Sequence, residues 1–471
     1  MCSQFSIGKH WSVAQYSSNN SWLYNGNNGE LNNNNKYNTN SARALDYNIW
    51  DYVGREDFLL LLYEFYDAYY VCRTNKRSKS SQLNFEYHFS EYFIHLVVSV
   101  YANEYIPSEA IAFIIDNPRI REVIAAFFGD RIVQTWYVSK MLPHLEKDWF
   151  DDDSYSCRVG KGGLRAALKL KEYIKEESCN YAFKCYVVKR DLRAFFMSID
   201  PKILEEKLVD FIWEHFDTDE KLRNMLCYVT RIIYCGFPQE HCIIKSHPLA
   251  WKKLEYRKSM FGKVIGLPIG NITSQMAANF ITTFYLDILR KMGYKFVHYT
   301  DDTAIVVTDI KKWNNDSKII EKYISEELHL EWHPHKIYCQ DISKGVEFLG
   351  YKIRYDRMLP SDRIAHNFIW TTECAVERYM NKTFVNYADK LHFMQSFNSY
   401  GGLLKWCNSH RLTERAVNVI KESLITDIYD IESNYKIQIR NKDSKMNYYK
   451  YMNKTRKSNL VKHSKKYEKD F

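Results

Sequence analysis

The sequence predicts an α+β chain in which a small antiparallel sheet is set among many helices. Two kinds of pattern predict it. Lys295-Phe296-Val297-His298-Tyr299 and Thr303-Ala304-Ile305-Val306-Val307 are rich in β-branched and aromatic residues and flank Thr300-Asp301-Asp302, so they read as a strand, a tight turn and a returning strand. Tyr186-Val187-Val188-Lys189 is strand-like in the same way, whereas Asp57 to Tyr70, Phe85 to Tyr105 and Ala365 to about Ile431 carry apolar and aromatic residues at helical spacing. With 471 residues, 46% of them hydrophobic, the chain can bury one large core or two to three smaller ones, so several domains are expected.

The turn of the hairpin is the unusual feature. Two adjacent carboxylates at a tip repel each other, and each needs a partner if it is removed from water. A plain hairpin cap facing solvent would satisfy them, as would a divalent metal, and the dipeptide alone favours the cap. What favours the metal lies elsewhere in the chain. Tyr186 to Lys189 leads to Asp191-Leu192-Arg193-Ala194-Phe195-Phe196, an Asp at a strand end followed by aromatics. A two-metal phosphoryl-transfer centre needs such a third, rigidly mounted carboxylate. About 110 residues separate Asp191 from Asp301, room enough for helices between strands of one sheet.

Along the chain, Ser17 to Ser41 is a low-complexity, Asn-rich segment with an unbroken run from Asn32 to Asn35, and a coil is expected there. After the two helical stretches, Pro107 and Pro118 bracket a short strand, Ala110 to Ile115. Arg119, Arg121, Asp130 and Arg131 follow, and then a run from Asp153 to Gly163 in which flexible glycines accompany Arg158 and Lys161. Backbone amides and cations in such a run could converge on phosphates, although a plain surface turn has the same composition. Beyond a helical stretch and a loop containing Trp251, Gly266-Leu267-Pro268-Ile269-Gly270-Asn271-Ile272-Thr273-Ser274-Gln275 opens a helix with Thr273 and Ser274 in its first turn.

The net charge of +9 is uneven, since Arg440 to Phe471 holds eleven Lys or Arg against three Asp or Glu. A basic arm interleaved with Tyr448, Tyr449, Tyr451 and Tyr467 suits a nucleic-acid backbone or simply aids solubility. No apolar leader opens the sequence and no run approaches 18 apolar residues, so neither secretion nor a membrane partner is expected. Eleven cysteines without a repeating spacing read as reduced thiols in a cytoplasmic protein. Adjacent His241 and Cys242, with Cys235 and His247 nearby, are awkward for a tetrahedral zinc site.

Taken together, the loop Tyr155-Ser156-Cys157-Arg158 with Lys161, the Asp191 motif, Gly266 to Asn279, Tyr299 to Asp302, His335-Lys336-Ile337 and Glu347-Phe348-Leu349-Gly350-Tyr351 resemble a reverse transcriptase of the diversity-generating retroelement type, over roughly residues 110 to 355. Leu267 to Gln275 is the most discriminating stretch. The resemblance implies a right-hand polymerase: an Asn-rich arm over 1–45, N-terminal helices and fingers over 46–185, a palm over 186–355 with 230–262 as a fingers or linker loop, a helical thumb over 356–435 and a basic tail over 436–471. It implies RNA-directed DNA synthesis, with two Mg²⁺ held by Asp191, Asp301 and Asp302, an RNA template, a DNA or RNA primer, dNTPs and a small basic accessory protein as partners.

Position by position, the resemblance makes Phe196 the steric gate against a 2′-hydroxyl and Lys336 the general acid for pyrophosphate. Arg121, Arg131, Arg158 and Lys161 become substrate-binding cations, and Gln275 and Asn279 lie on the helix beside the nascent pair. Ile269 stands where retroviral enzymes have a Gln, and in the retroelement family this change accompanies miscopying of template adenines. Asn25 to Ala44 resembles stretches encoded by the template repeats of such elements. Two other readings share the motifs: an antiviral reverse transcriptase copying a dedicated noncoding RNA, and a catalytically dead RNA-binding protein, which the complete Asp set disfavours. One departure is Arg190, where an aliphatic residue is usual. Strand alternation puts it opposite Asp191, so it must find a buried anion or distort the strand.

Overall fold

The computed structural model describes residues 50–74, 79–116, 119–255, 258–381, 387–423, 429–431 and 436–439. The Asn-rich arm over 1–45 and residues 440–471 of the expected basic tail lie outside them, while 437–439 of that tail form a strand. In chain order the elements are α1 (Trp50–Val53), α2 (Glu56–Arg73), α3 (Ser80–Tyr87), α4 (Phe89–Tyr101), β1 (Ala110–Ile115), β2 (Arg121–Ala125), α5 (Phe128–Asp148), α6 (Gly163–Glu177), β3 (Tyr186–Asp191), α7 (Phe195–Ser198), α8 (Pro201–His215), α9 (Glu220–Cys235), β4 (Cys242–Ile244) and α10 (Pro248–Lys252). They continue with α11 (Ile272–Lys291), β5 (Lys295–Tyr299), β6 (Asp302–Val307), α12 (Ile310–Glu327), β7 (Tyr338–Asp341), β8 (Val346–Phe348), β9 (Tyr351–Ile353), β10 (Met358–Pro360), α13 (Asp362–Met380), α14 (Tyr387–Leu404), α15 (His410–Glu422), β11 (Tyr429–Ile431) and β12 (Ile437–Ile439). This is the mixed α+β class that the sequence predicts. The described residues fall into two compact units, those within 1–149 and 196–278 and those within 150–195 and 279–471.

In the first unit, α2 buries Phe58, Leu61, Phe65, Ala68 and Cys72, a stripe at helical spacing that packs on α5. Phe65 and Trp136 sit with ring centroids 5.1 Å apart, and the Trp136 indole donates to Glu64 at 3.0 Å, so the large ring is buried without an orphaned N–H. The helical run expected over Phe85 to Tyr105 breaks at His88 and stops at Tyr101, where Asn103 turns left-handed (φ 58°) and Glu104 donates back to the Ser99 carbonyl at 2.8 Å. The strand expected over Ala110 to Ile115 is present and lies centrally in the sheet β2-β1-β4. Trp251, expected in a loop, belongs to the short helix α10. Asp200 and Asp219 cap α8 and α9 through the amides of Lys202 and Leu222, both at 2.9 Å.

The second unit is built on an antiparallel sheet of order β5-β6-β3-β7. Ala166, Ala167, Leu170 and Ile174 line one face of α6 and bury Val187, Val297, Ala304 and Val306, with Val346, Phe348, Tyr351 and Ile353 closing the same core. Small residues on α6 let the helix approach the sheet closely. A separate helical core joins Phe368, Phe397, Ala416, Val417 and Ile420 of α13, α14 and α15. The helical pattern expected to continue to about Ile431 ends at Glu422, and Tyr429–Ile431 instead pairs antiparallel with Ile437–Ile439. Strand pairing of this kind depends on a partner segment, which periodicity cannot register. No helix among the described residues is long and apolar enough to cross a membrane.

Asp130 is a buried acid at the start of α5 that accepts from the Tyr105 hydroxyl at 2.7 Å and the Ser108 amide at 3.2 Å. Burial outweighs these bonds and pushes its carboxyl up to about 6. Between the ordinary range near 4 and pH 6 the folded chain therefore holds a proton that the unfolded chain has released, so stability falls as pH rises through that window. Asp130→Asn should remove a penalty of up to about 3 kcal/mol above pH 6. Urea unfolding at pH 4.5 and pH 7.5 checks this: the parent loses stability across the interval and the variant loses less.

Candidate active site

Two strands distant in sequence carry the acidic residues. β3 and β6 pair with Tyr186 opposite Val307 and end with Asp191 opposite Asp302, while Asp302 also lies opposite Tyr299 across the hairpin. Asp301 occupies the turn, where its carbonyl accepts from the Leu192 amide at 3.4 Å. Asp191, Asp301 and Asp302 are thereby brought to one end of one sheet, as the sequence required. Burial first, and then the charges of Asp302 and Asp191, push the Asp301 carboxyl up to about 6. The turn is strained as well, since β-branched Thr300 sits at φ 62°.

The compensating charge comes from Lys336, whose ammonium forms an ion pair with Asp191. Its segment is strapped over the end of β3: the His333 amide donates to the Asp191 carbonyl at 2.8 Å, the Arg193 amide to the Glu331 carbonyl at 2.8 Å, and Leu192 bridges Trp332. Lys336 itself donates its amide to the His333 carbonyl at 3.4 Å, and its side chain remains 58% exposed.

The donor chemistry fits divalent cations. Hard carboxylate oxygens gathered at a strand end repel one another and already draw one ammonium to themselves. Among the described residues no three His, Cys, Asp or Glu side chains form a preformed metal cage. An open carboxylate end of this kind suits Mg²⁺, which is commonly held by one or two carboxylates together with substrate phosphates and water.

Arg190 resolves the departure seen in the sequence without a direct anion and without breaking the strand. Its guanidinium lies 4.6 Å from the centre of the Trp332 ring, and the charge of Glu321 partly offsets the burial that lowers its pKa. Stacking on an aromatic face substitutes for the ion pair that alternation seemed to require.

The loop cations differ from the phosphate-binding expectation. Arg158 is buried, donating from Nη1 to the carbonyls of Asp151 at 2.6 Å and Ser154 at 2.9 Å while its guanidinium lies over Phe150. Lys161 donates to the Asp152 carbonyl at 2.5 Å and lies over the Tyr155 ring. Both hold the loop's own backbone, because a loop folded this tightly has carbonyls that need donors more than it has room for a ligand. Asn279 likewise faces inward: it is 3% exposed and its Nδ2 donates to the Ser156 carbonyl at 2.8 Å, so it is not free to lie against a base pair.

In the first unit, the Phe196 carbonyl accepts from the Leu267 amide at 2.7 Å, and the Ile199 carbonyl from the Gly266 amide at 2.9 Å. Gly266 has φ 107°, and a Cβ there would stand 3.2 Å from the Met197 Cα, so only glycine lets the two segments lie together. Phe196 and Ile269 are half-buried and Gln275 is exposed on the first turns of α11. Glu122 anchors this region by accepting from Ser259 Oγ at 2.6 Å and the Met260 amide at 2.8 Å. Arg121 is exposed at the start of β2, whereas Arg131 donates its Nε to the Ala126 carbonyl at 3.0 Å and braces the turn into α5.

Residues that sequence reasoning passed over are Asp151, Asp153, Tyr173 and Arg290. Arg290 donates to Asp151 at 2.7 and 3.1 Å and to Asp153 at 2.7 Å, and the Tyr173 hydroxyl donates to Asp153 at 2.5 Å. The acidic run Asp151-Asp152-Asp153 was a visible signal, but its partner lies far along the chain.

The structural role of Arg158 makes a prediction. Arg158→Ala removes the single Nη1 donor that serves both carbonyls and should lower the unfolding free energy by about 1–3 kcal/mol. Urea denaturation of parent and variant at pH 7.5 measures it, and an unchanged midpoint would show that these bonds do not hold the loop.

Residues 119–353 match the family model described as "Reverse transcriptase (RNA-dependent DNA polymerase)". No curated protein matches the chain. Solved structures with similarity include apo telomerase from Candida tropicalis (11% identity, TM-score 0.42, covering 68% of this chain and 58% of that one) and a form of it truncated from its C-terminal domain (11%, 0.38, 52% and 53%). Telomerase from Candida albicans in complex with a fragment of telomeric RNA is similar at 9% identity and TM-score 0.38, covering 67% of this chain and 64% of that one. This chain therefore spans between 53% and 64% of the length of those telomerases. With the paired Asp191 and Asp302 strands falling inside the matched region, residues 119–353 of this chain form a reverse transcriptase domain.

Proposed function

We propose that the protein is an RNA-directed DNA polymerase that copies an RNA template into cDNA from a DNA or RNA primer, using dNTPs. The observation that carries the reading is the pairing of Asp191 with Asp302 beside Asp301 in the turn. In this reading residues 46–185 serve as fingers, 186–355 as palm and 356–435 as thumb. Two Mg²⁺ held by Asp191, Asp301 and Asp302 would supply Lewis-acid activation of the primer 3′-hydroxyl and neutralise the leaving pyrophosphate. Lys336 would give a proton to that leaving group, a role supported by its exposed ammonium and its ion pair with Asp191. Phe196 restricts the sugar pocket to deoxynucleotides, and Arg121 contributes a solvent-facing cation for the triphosphate.

The finer reading is a diversity-generating retroelement enzyme that miscopies template adenines and works with a small basic accessory protein in the cytoplasm. It is supported by Leu267 to Gln275 and by Ile269, an aliphatic side chain that offers no hydrogen bond with which to check the template pair. An antiviral polymerase copying its own noncoding RNA would share every one of these residues, and no contact described above favours it.

Primer extension on a defined RNA with Mg²⁺ tests the activity. The parent should extend the primer, and Asp191→Asn or Asp301→Asn should each lose on the order of a thousandfold or more. Extension by the parent that survives both substitutions would end the reading. Phe196→Ala should admit ribonucleotides into the product, checked by alkali cleavage of the cDNA. Sequencing cDNA from the same template tests Ile269: substitutions concentrated opposite adenine are expected, and equal accuracy at the four bases would count against the retroelement assignment.

A further inference from the structure

The loop from Asp151 to Gly162 remains unexplained once its cations are turned inward. Ser154 forms a parallel bridge to His298, with the His298 amide donating to the Asp153 carbonyl at 2.8 Å and the Tyr155 amide to the His298 carbonyl at 2.9 Å. The loop is thus laid along β5, the edge strand of the palm-type sheet. Its far end is closed by the Gly162 amide on the Tyr155 carbonyl at 2.9 Å, and its near end is clamped by Arg290 between Asp151 and Asp153. Between these anchors lies Ser156, 2% exposed, with its hydroxyl 2.6 Å from the hydroxyl of Thr300 and its carbonyl taken by Asn279.

Thr300 is the strained residue of the acidic turn. A β-branched side chain at positive φ is strained, and such a conformation persists only where surrounding contacts over-determine it. Here the surrounding contact is identifiable. The 2.6 Å contact between the Thr300 and Ser156 hydroxyls is made from the left-handed backbone of the turn that carries Asp301 and Asp302. Like-charge repulsion between those carboxylates acts in the opposite direction, toward opening the turn.

We propose that Ser156 is a positioning residue for the acidic turn: its hydroxyl, held in place by Asn279 and by the Arg290 clamp on the loop, locks Thr300 and thereby sets the separation of Asp301 from Asp302. The proposal rests on the polymerase reading for its catalytic consequence, but its structural content stands independently. Ser156 touches neither the acidic side chains nor, in this scheme, the substrate.

The test uses the full chain with Ser156→Ala, Thr300→Val, the double variant and Thr300→Ser, each read by amide hydrogen exchange and by Mg²⁺-dependent primer extension. Ser156→Ala and Thr300→Val should each speed exchange over residues 299–303 by about tenfold or more while α6 and the middle of β3 stay protected. Each should lower kcat roughly ten- to a hundredfold with the KM for dNTP little changed, because a shift of about an ångström in a reacting group has an effect of that size. The double variant should be no worse than the more impaired single one, as two halves of one contact must be. Thr300→Ser, which keeps the hydroxyl, should stay near the parent in both readouts and shows that loss of the methyl is not the cause. Parent-like exchange in both single variants, or a double variant impaired by the product of the two, overturns the proposal. Absence of extension in the parent would sink the polymerase reading alone, and the exchange comparison would still decide the role of Ser156.

Discussion

The antiparallel pairing of β3 with β6 is the constraint on which the site depends. Six successive pairs, from Tyr186 opposite Val307 to Asp191 opposite Asp302, fix where one carboxylate meets the others. The register is held from the apolar end. Val187, Ala304 and Val306 are buried under α6, and slipping the pairing by one residue would expose that set and turn Asp191 to the wrong face. The core of α6 and the sheet therefore decides the acid geometry at the strand ends, although Val187, Ala304 and Val306 carry no polar group in their side chains.

Bringing three acids together is unfavourable, and the fold offsets this locally. Asp301 responds by holding its proton more tightly, Lys336 is drawn onto Asp191, and the His333 and Arg193 amides strap the Lys336 segment to the end of β3. The arrangement leaves a net deficit of positive charge at an open end of the sheet. Such a deficit is what a site needs if cations are to arrive with their phosphate-bearing substrate instead of being permanently caged.

The same accounting explains why several conspicuous cations do not face outward. Arg158, Lys161 and Arg131 look alike in sequence to residues that grip phosphates, yet each donates to a carbonyl of its own turn or loop. Irregular backbone has acceptors that no ladder satisfies, and a nearby long cation is the readiest donor. Arg190 shows the complementary case, a cation half-buried in a strand that finds an aromatic ring where an acid was anticipated. Composition announces a cation. It does not say whether the protein or a ligand will use it.

The short-range content of this protein was therefore readable in its sequence. The β5–β6 hairpin, the strand ending at Asp191, the Ala110–Ile115 strand and the glycine loop before α11 each follow from local propensity and turn chemistry acting over a few residues. The family motifs named the acids. Tertiary structure alone decided the rest: that Ser156 bonds Thr300 from 144 residues away, that Arg290 clamps Asp151 and Asp153, that Asn279 turns inward, and that Tyr429–Ile431 becomes a strand. Those contacts are made by polar groups whose partners are chosen by proximity after the cores have formed, and proximity across a hundred residues leaves no trace in local periodicity.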